Sequence, residues 1–293
     1  MRRHQRSITV SGPWSLATSK AFWEGFAPTA LPPSGGGPQE PGLEAVFLVE
    51  ADWSRARARV TQDHDLARIT VEGHGDLDSA ATQVGRFLAL DVDARSWPDV
   101  ADRDPVIADA QARLPGLRPC GFHSPYEAAT WAVLSQRIRI IQAARLREQI
   151  VHRHGDNGAF PAPHVLRTLD LDLPGRKTDY LHAVAGAALD GRLDGLRLRR
   201  LDPAEAIRSL QDIPGIGPFA AELVLLRGAN TPDAFPRHGR RLNDEISLRY
   251  GPDADPEHVA RAWQPFRTWA AVHLRALREA RTHEIAGHRP HGS

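Results

Sequence analysis

The chain has 293 residues, 41% hydrophobic and 25% charged, with a net charge of +1 and one cysteine. That length allows two domains and the apolar fraction supports a core. A lone Cys120 excludes an internal disulfide framework and a four-cysteine metal or iron–sulfur site.

Taken in chain order, the basic start Met1–Arg6 is followed by no apolar signal core, so a cytoplasmic protein is expected. Ser7–Val10, Ala45–Glu50, Ala56–Val60 and Leu66–Val71 alternate like strands, with a Pro- and Gly-rich loop over Leu31–Pro38. Asp78–Leu90 reads as an amphipathic helix with Ala81, Val84, Phe87 and Leu88 on one stripe. Such strands and helices predict a small antiparallel sheet with helices on one face, an α+β N-terminal domain over residues 1–112.

From about Asp104 the pattern turns helical. Apolar spacing predicts helices over Tyr126–His154, Thr178–Leu189, Pro203–Leu210, Phe219–Arg227, Arg241–Tyr250 and Pro256–Arg281. Ser124-Pro125 supplies a cap and a first-turn proline for the first of these. The expected all-α domain covers 113–282, and 283–293 reads as a disordered tail. No run reaches a membrane-spanning length; the longest, Ala220–Leu226, is interrupted by Glu222. Charge divides unevenly, at +5 from Gly116 onward and −4 before it. A basic functional face and a chance excess on solvated surfaces account for that split equally well.

Leu210-Gln-Asp-Ile-Pro-Gly-Ile-Gly-Pro-Phe219 is the most informative segment. Two helices flank it, so Pro214-Gly215-Ile216-Gly217 must reverse the chain within a few residues. Glycines tolerate positive φ and leave the backbone unshielded, and the next helix opens with unpaired N–H groups at its positive end. A phosphate oxygen fits there without a side-chain charge. The alternative is an ordinary tight helix–helix turn, which the full Ile-Pro-Gly-Ile-Gly-Pro string disfavours.

With Phe122–Glu127 leading into Ser135-Gln136, Phe160-Pro-Ala-Pro163, Asp233-Ala-Phe-Pro236 and Trp263-Gln-Pro-Phe-Arg-Thr-Trp-Ala270, the segment 115–280 resembles the helix-hairpin-helix (HhH-GPD) DNA glycosylases, in the DNA-3-methyladenine glycosylase II-like branch. The resemblance implies an N-terminal sheet like half of a TATA-binding protein. It implies a monomeric, nucleoid-associated base-excision-repair protein whose partner is double-stranded DNA holding a damaged base. Such an enzyme flips an alkylated base of the 3-methyladenine or 7-methylguanine type into a pocket and hydrolyses its N-glycosyl bond. Carried over by residue, DNA contacts fall on Gly215, Ile216, Gly217, Gln136 and the gap-filling Arg137. The base pocket falls on Phe219, Leu223, Trp269 and Arg275. No cofactor is implied, apart from a structural monovalent cation on the hairpin backbone of Ile213 and Ile216.

Two departures stand out. The lysine of the bifunctional branches corresponds to Phe219, so Schiff-base lyase chemistry is not expected. The aspartate that stabilises the sugar cation corresponds to Gly239. Asp244 and His238 are the nearby groups able to substitute. A catalytically impaired or repurposed binder of damaged DNA is therefore a second reading.

Overall fold

The computed structural model describes residues 1–25 and 42–283, so the Leu31–Pro38 loop and the tail beyond 283 lie outside the described residues. Strand β1 (Arg2–Thr9) and helix α1 (Leu16–Glu24) precede β2 (Leu43–Leu48), β3 (Arg55–Asp63) and β4 (Leu66–Gly73). These strands form one antiparallel sheet in the order β1-β4-β3-β2. Ala56 lies opposite Gly73 and Asp63 opposite Leu66. Alternation buries Ala56, Ala58 and Val60 of β3 with Ala67, Ile69 and Val71 of β4. Helix α2 (Leu77–Phe87) covers that face with Ala80, Ala81, Val84 and Phe87. Its cap is Asp76, which accepts the Ser79 N–H at 3.0 Å. The basic N-terminal residues are thus part of an edge strand, where charge discourages further strand pairing.

Short helices α3 (Pro98–Arg103) and α4 (Pro105–Arg113) lead into the helical part. There follow α5 (Pro125–Leu134), α6 (Ile140–His154), α7 (Pro163–Leu166), α8 (Lys177–Leu189), α9 (Gly195–Arg200), α10 (Pro203–Gln211) and α11 (Pro218–Leu223). Helix α11 runs on into a π-helical turn, Val224–Gly228, and the chain closes with α12 (Arg240–Tyr250), α13 (Pro256–Ala260), a 3₁₀ turn Arg261–Trp263 and α14 (Arg267–Thr282). Every residue of α5 is buried, and α8, α11 and the π turn pack against it. Ser124 caps α5 by accepting the Glu127 N–H at 3.1 Å. At the close crossing of α5 and the π turn, a Cβ on Gly228 would come within 2.7 Å of the Pro125 Cα.

Two predicted helices are broken. The Tyr126–His154 helix stops at Leu134 and restarts at Ile140, with Arg137 in a left-handed backbone (φ 56°) in the gap. The Pro256–Arg281 helix is interrupted before Arg267, where Pro265 has no N–H to continue the ladder.

The expected division near residue 112 is crossed by side chains. Trp97, Val100 and Ile107 share a core with Leu242, Ile246, Trp263 and Trp269 of the C-terminal helices. The fully buried Arg118 donates to the carbonyls of Ser11, Pro13, Ala89 and Val92 at 2.6–3.1 Å. Asn230 Nδ2 donates to the carbonyls of Arg86, Phe87 and Pro119. Glu50 pairs with buried Arg86 and accepts the Gly195 N–H at 2.9 Å, at the start of α9.

Candidate functional site

Between α10 and α11 the chain turns on Asp212–Gly217. Ile213 and Ile216 are buried under the turn, and the Ile216 N–H donates to the Ile213 carbonyl at 3.0 Å. Gly215 has φ +91°, and a Cβ there would lie 2.5 Å from the Tyr180 ring. This position therefore requires glycine for two independent reasons. Gly217 differs: its φ of −85° suits any residue and a Cβ would meet nothing within 4 Å. It stands at the N-cap of α11, which has no side-chain cap, with Pro218 at the first helical position. The opening amides of α11 therefore face outward beside an unshielded glycine.

The loop that breaks α5 from α6 lies against this turn. Gln136, expected as a DNA contact, donates its Nε2 to the Gly215 carbonyl at 2.7 Å and so ties the two loops together. Lys177, from the start of α8, donates to the carbonyls of Val133, Leu134 and Gln136 at 3.0, 2.6 and 2.8 Å. It terminates α5 by collecting carbonyls the helix leaves unpaired, and burial lowers its pKa. Arg137, next to Gln136 in this loop, is exposed.

Down α11, Phe219 is 56% exposed, so it is not a core residue. Leu223 and Arg227 follow at four-residue intervals, both partly buried. Arg227 donates to the Cys120 carbonyl at 2.6 Å; burial lowers its pKa to about 10, and neighbouring Arg275 adds to the shift. The Cys120 thiol beneath is pushed up to about 12 by burial and stays neutral. Trp269, expected as a pocket wall, is instead fully buried. Its ring lies 5.7 Å from Trp97 and 5.2 Å from Phe266, with Arg118 above it.

Past the π turn, Asp233 accepts the Arg267 N–H at 3.0 Å and pairs with its guanidinium at 2.7 Å, fixing the start of α14. Gly239 is the N-cap of α12 (φ −84°), and a Cβ there would come no closer than 3.6 Å to Leu242. Space and backbone would both accept a side chain. Asp244 is half-exposed and turns to Arg278 on α14 at 3.8 Å. Beside it the buried Glu245 holds Arg249 and Arg281.

His238 is half-exposed, and its Nδ1 lies 2.8 Å from Oε1 of Glu222 on α11. The same carboxylate accepts the backbone N–H of Arg237 at 2.9 Å and of His238 at 3.0 Å. Glu222 is only 3% exposed. Sequence reasoning passed over both Glu222 and Lys177. The signal for Glu222 was visible, a carboxylate inside the apolar run Ala220–Leu226, where burial without partners is costly. Lys177 gave no local signal.

No family model matches the chain. It is 28% identical over 210 residues to the DNA-3-methyladenine glycosylase of Bacillus subtilis, covering 65% of this chain and 69% of that protein. It is 29% identical over 237 residues to DNA-3-methyladenine glycosylase 2 of Escherichia coli, covering 74% and 80%. The solved 3-methyladenine DNA-glycosylase of Archaeoglobus fulgidus superposes with a TM-score of 0.69 at 19% identity, over 92% of this chain and 96% of that one, a likeness of fold. Sheet, helical body and hairpin define a helix-hairpin-helix DNA glycosylase architecture. In sequence the chain is similar to DNA-3-methyladenine glycosylases of the glycosylase II type, which support that superfamily and branch.

Proposed function

We propose that the chain is a monofunctional DNA N-glycosylase of base-excision repair, removing alkylated bases of the 3-methyladenine and 7-methylguanine type from duplex DNA. The observation that carries this reading is the Gln136–Gly215 tie, which holds the loop of the exposed Arg137 to the hairpin that opens at Gly217. Phosphate on the amides would fix register without reading sequence, while Arg137 fills the space a flipped base leaves. In this reading Phe219 and Leu223 would supply the apolar side of the base pocket, with Arg275 close to Arg227. The relatives carry glycosylase names, and nothing favours the alternative of an impaired binding protein.

Two further expectations belong to this reading. The chain acts as a monomer on DNA, and no helix of the described residues is long and apolar enough to cross a membrane. A monovalent cation on the carbonyls of Ile213 and Ile216 would offset phosphate charge at the hairpin. Carbonyl oxygens suit such an ion, and the Ile213 carbonyl keeps a lone pair after accepting the Ile216 N–H.

Single-turnover release of 7-methylguanine and 3-methyladenine from a methylated duplex tests the proposal, with binding to an abasic-site duplex measured alongside. Arg137→Ala should weaken abasic-site binding more than binding to intact duplex. Failure to release either base would refute the reading.

A further inference from the structure

The position that should carry the catalytic aspartate holds Gly239, yet a buried carboxylate is committed to the loop that contains it. We infer that the Glu222–His238 pair takes over the work of the missing aspartate, with His238 as the group facing the reacting water and Glu222 as its positioning residue. This inference rests on the glycosylase reading above and names how that site would act.

Three observations converge on the pair. Glu222 is three residues beyond Phe219 on α11, so it lies on the flank of the helix that carries the exposed aromatic ring. Its two oxygens take three donors from the Arg237–His238 segment: two backbone N–H groups and His238 Nδ1. Such donors fix the loop's path over the carboxylate. His238 itself is half-exposed and adjoins Gly239, one peptide or about 3.8 Å between Cα atoms.

The tautomer follows from the partner. A carboxylate can only accept, so Nδ1 carries the proton and Nε2 of the neutral ring carries a lone pair. An imidazole held by a carboxylate through Nδ1 is the arrangement by which a buried acid orients a histidine base. With the ring neutral, the pair bears one negative charge beside the position where Gly239 offers none. It therefore supplies both things the aspartate would, a counter-charge for the sugar cation and a base for water.

The step balances as a hydrolysis. As the C1′–N bond of the damaged nucleotide breaks, the bonding pair leaves with the base, and an N7-alkylated purine departs neutral. Water adds its oxygen to C1′ while one of its protons passes to His238 Nε2. The resulting imidazolium is neutralised by Glu222 and later returns the proton to solvent. Asp244 takes no part, since it is turned to Arg278.

The experiment is single-turnover release of 7-methylguanine by the full chain, alongside its Kd for an abasic-site duplex. His238→Ala should slow release roughly 10²–10³-fold while leaving the Kd unchanged. Glu222→Gln should slow release too, and the double variant should be no slower than His238→Ala alone, because the carboxylate acts through the ring. His238→Ala/Gly239→Asp should recover most of the lost rate, a rescue that a merely structural histidine would not give. His238→Ala releasing base at the wild-type rate would overturn the inference alone. A wild-type chain that releases no alkylated base would overturn the glycosylase reading and this step with it.

Discussion

Gly217→Asp separates the two roles of the hairpin, because folding and DNA binding should move in opposite directions. The backbone at Gly217 is ordinary for any residue, and a Cβ meets nothing within 4 Å, so the substitution introduces no strain. An aspartate at this N-cap can accept from the opening amides of α11, which have no side-chain cap of their own. Relative to glycine, an N-cap aspartate gains a few tenths of a kcal/mol, and its charge at the helix start adds about 0.3–1 kcal/mol. The melting temperature should therefore hold or rise slightly. DNA binding loses those same amides and gains a like charge facing the phosphate. Hydrogen bonds to a charged group are worth about 1.5–3 kcal/mol, which predicts Kd weakened roughly 10- to 150-fold at constant salt. Because phosphates carry no base information, damaged and intact duplexes should be affected alike. Fluorescence anisotropy at fixed ionic strength, paired with a thermal melt, reads both quantities. An unchanged Kd, or a loss confined to damaged DNA, would refute a phosphate at this amide cluster.

Two further variants probe the frame behind the site. His273 is buried on α14 with Nδ1 2.8 Å from the Trp269 carbonyl, and burial holds its pKa down to about 4 against an ordinary 6.5. The unfolded chain therefore takes up this proton first. The stability this histidine contributes is fully present above pH 6.5 and drains by about 1.4 kcal/mol per pH unit as the pH falls toward 4. Urea unfolding should show that His273→Leu loses about 2–3 kcal/mol less than wild type between pH 7 and pH 4.5, and equal losses would contradict the account. Lys177→Met strips the ammonium from three carbonyls, which should cost about 2–3 kcal/mol in chemical denaturation and weaken abasic-site binding by loosening the Arg137 loop. A variant as stable as wild type would show that the carbonyls are satisfied without it.

The hairpin was legible because two glycines and two prolines crowd into six residues, and little but a tight reversal accommodates them. The sheet was legible for a similar reason, as alternation in Ala56–Val60 and Leu66–Val71 matches a half-buried pleat. The break after Leu134 was not. Apolar spacing runs on in helical phase from Ala132 to Ile140 and Ala143, and the residue that ends α5 lies 43 positions away in sequence, at Lys177. Periodicity registers burial, whereas this termination comes from a distant amine. Trp269 misled by its motif, since an aromatic side chain looks the same in sequence whether it lines a pocket or fills the core. Glu222 had a visible anomaly but no visible partner, because its three donors come from a loop fifteen and sixteen residues further on.

Arg118 has a consequence for how the molecule can be taken apart. All four of its carbonyl partners lie before residue 93, whereas Arg118 itself follows α4 and belongs to the length of chain that continues into the helices. Cutting after Arg113 would strip Arg118 of all four carbonyls, leave Gly195 without its carboxylate, and leave Asn230 with one of its three carbonyls. The two halves are therefore interdigitated rather than modular. The whole chain should melt in a single cooperative transition, and neither portion should persist as a tractable fragment.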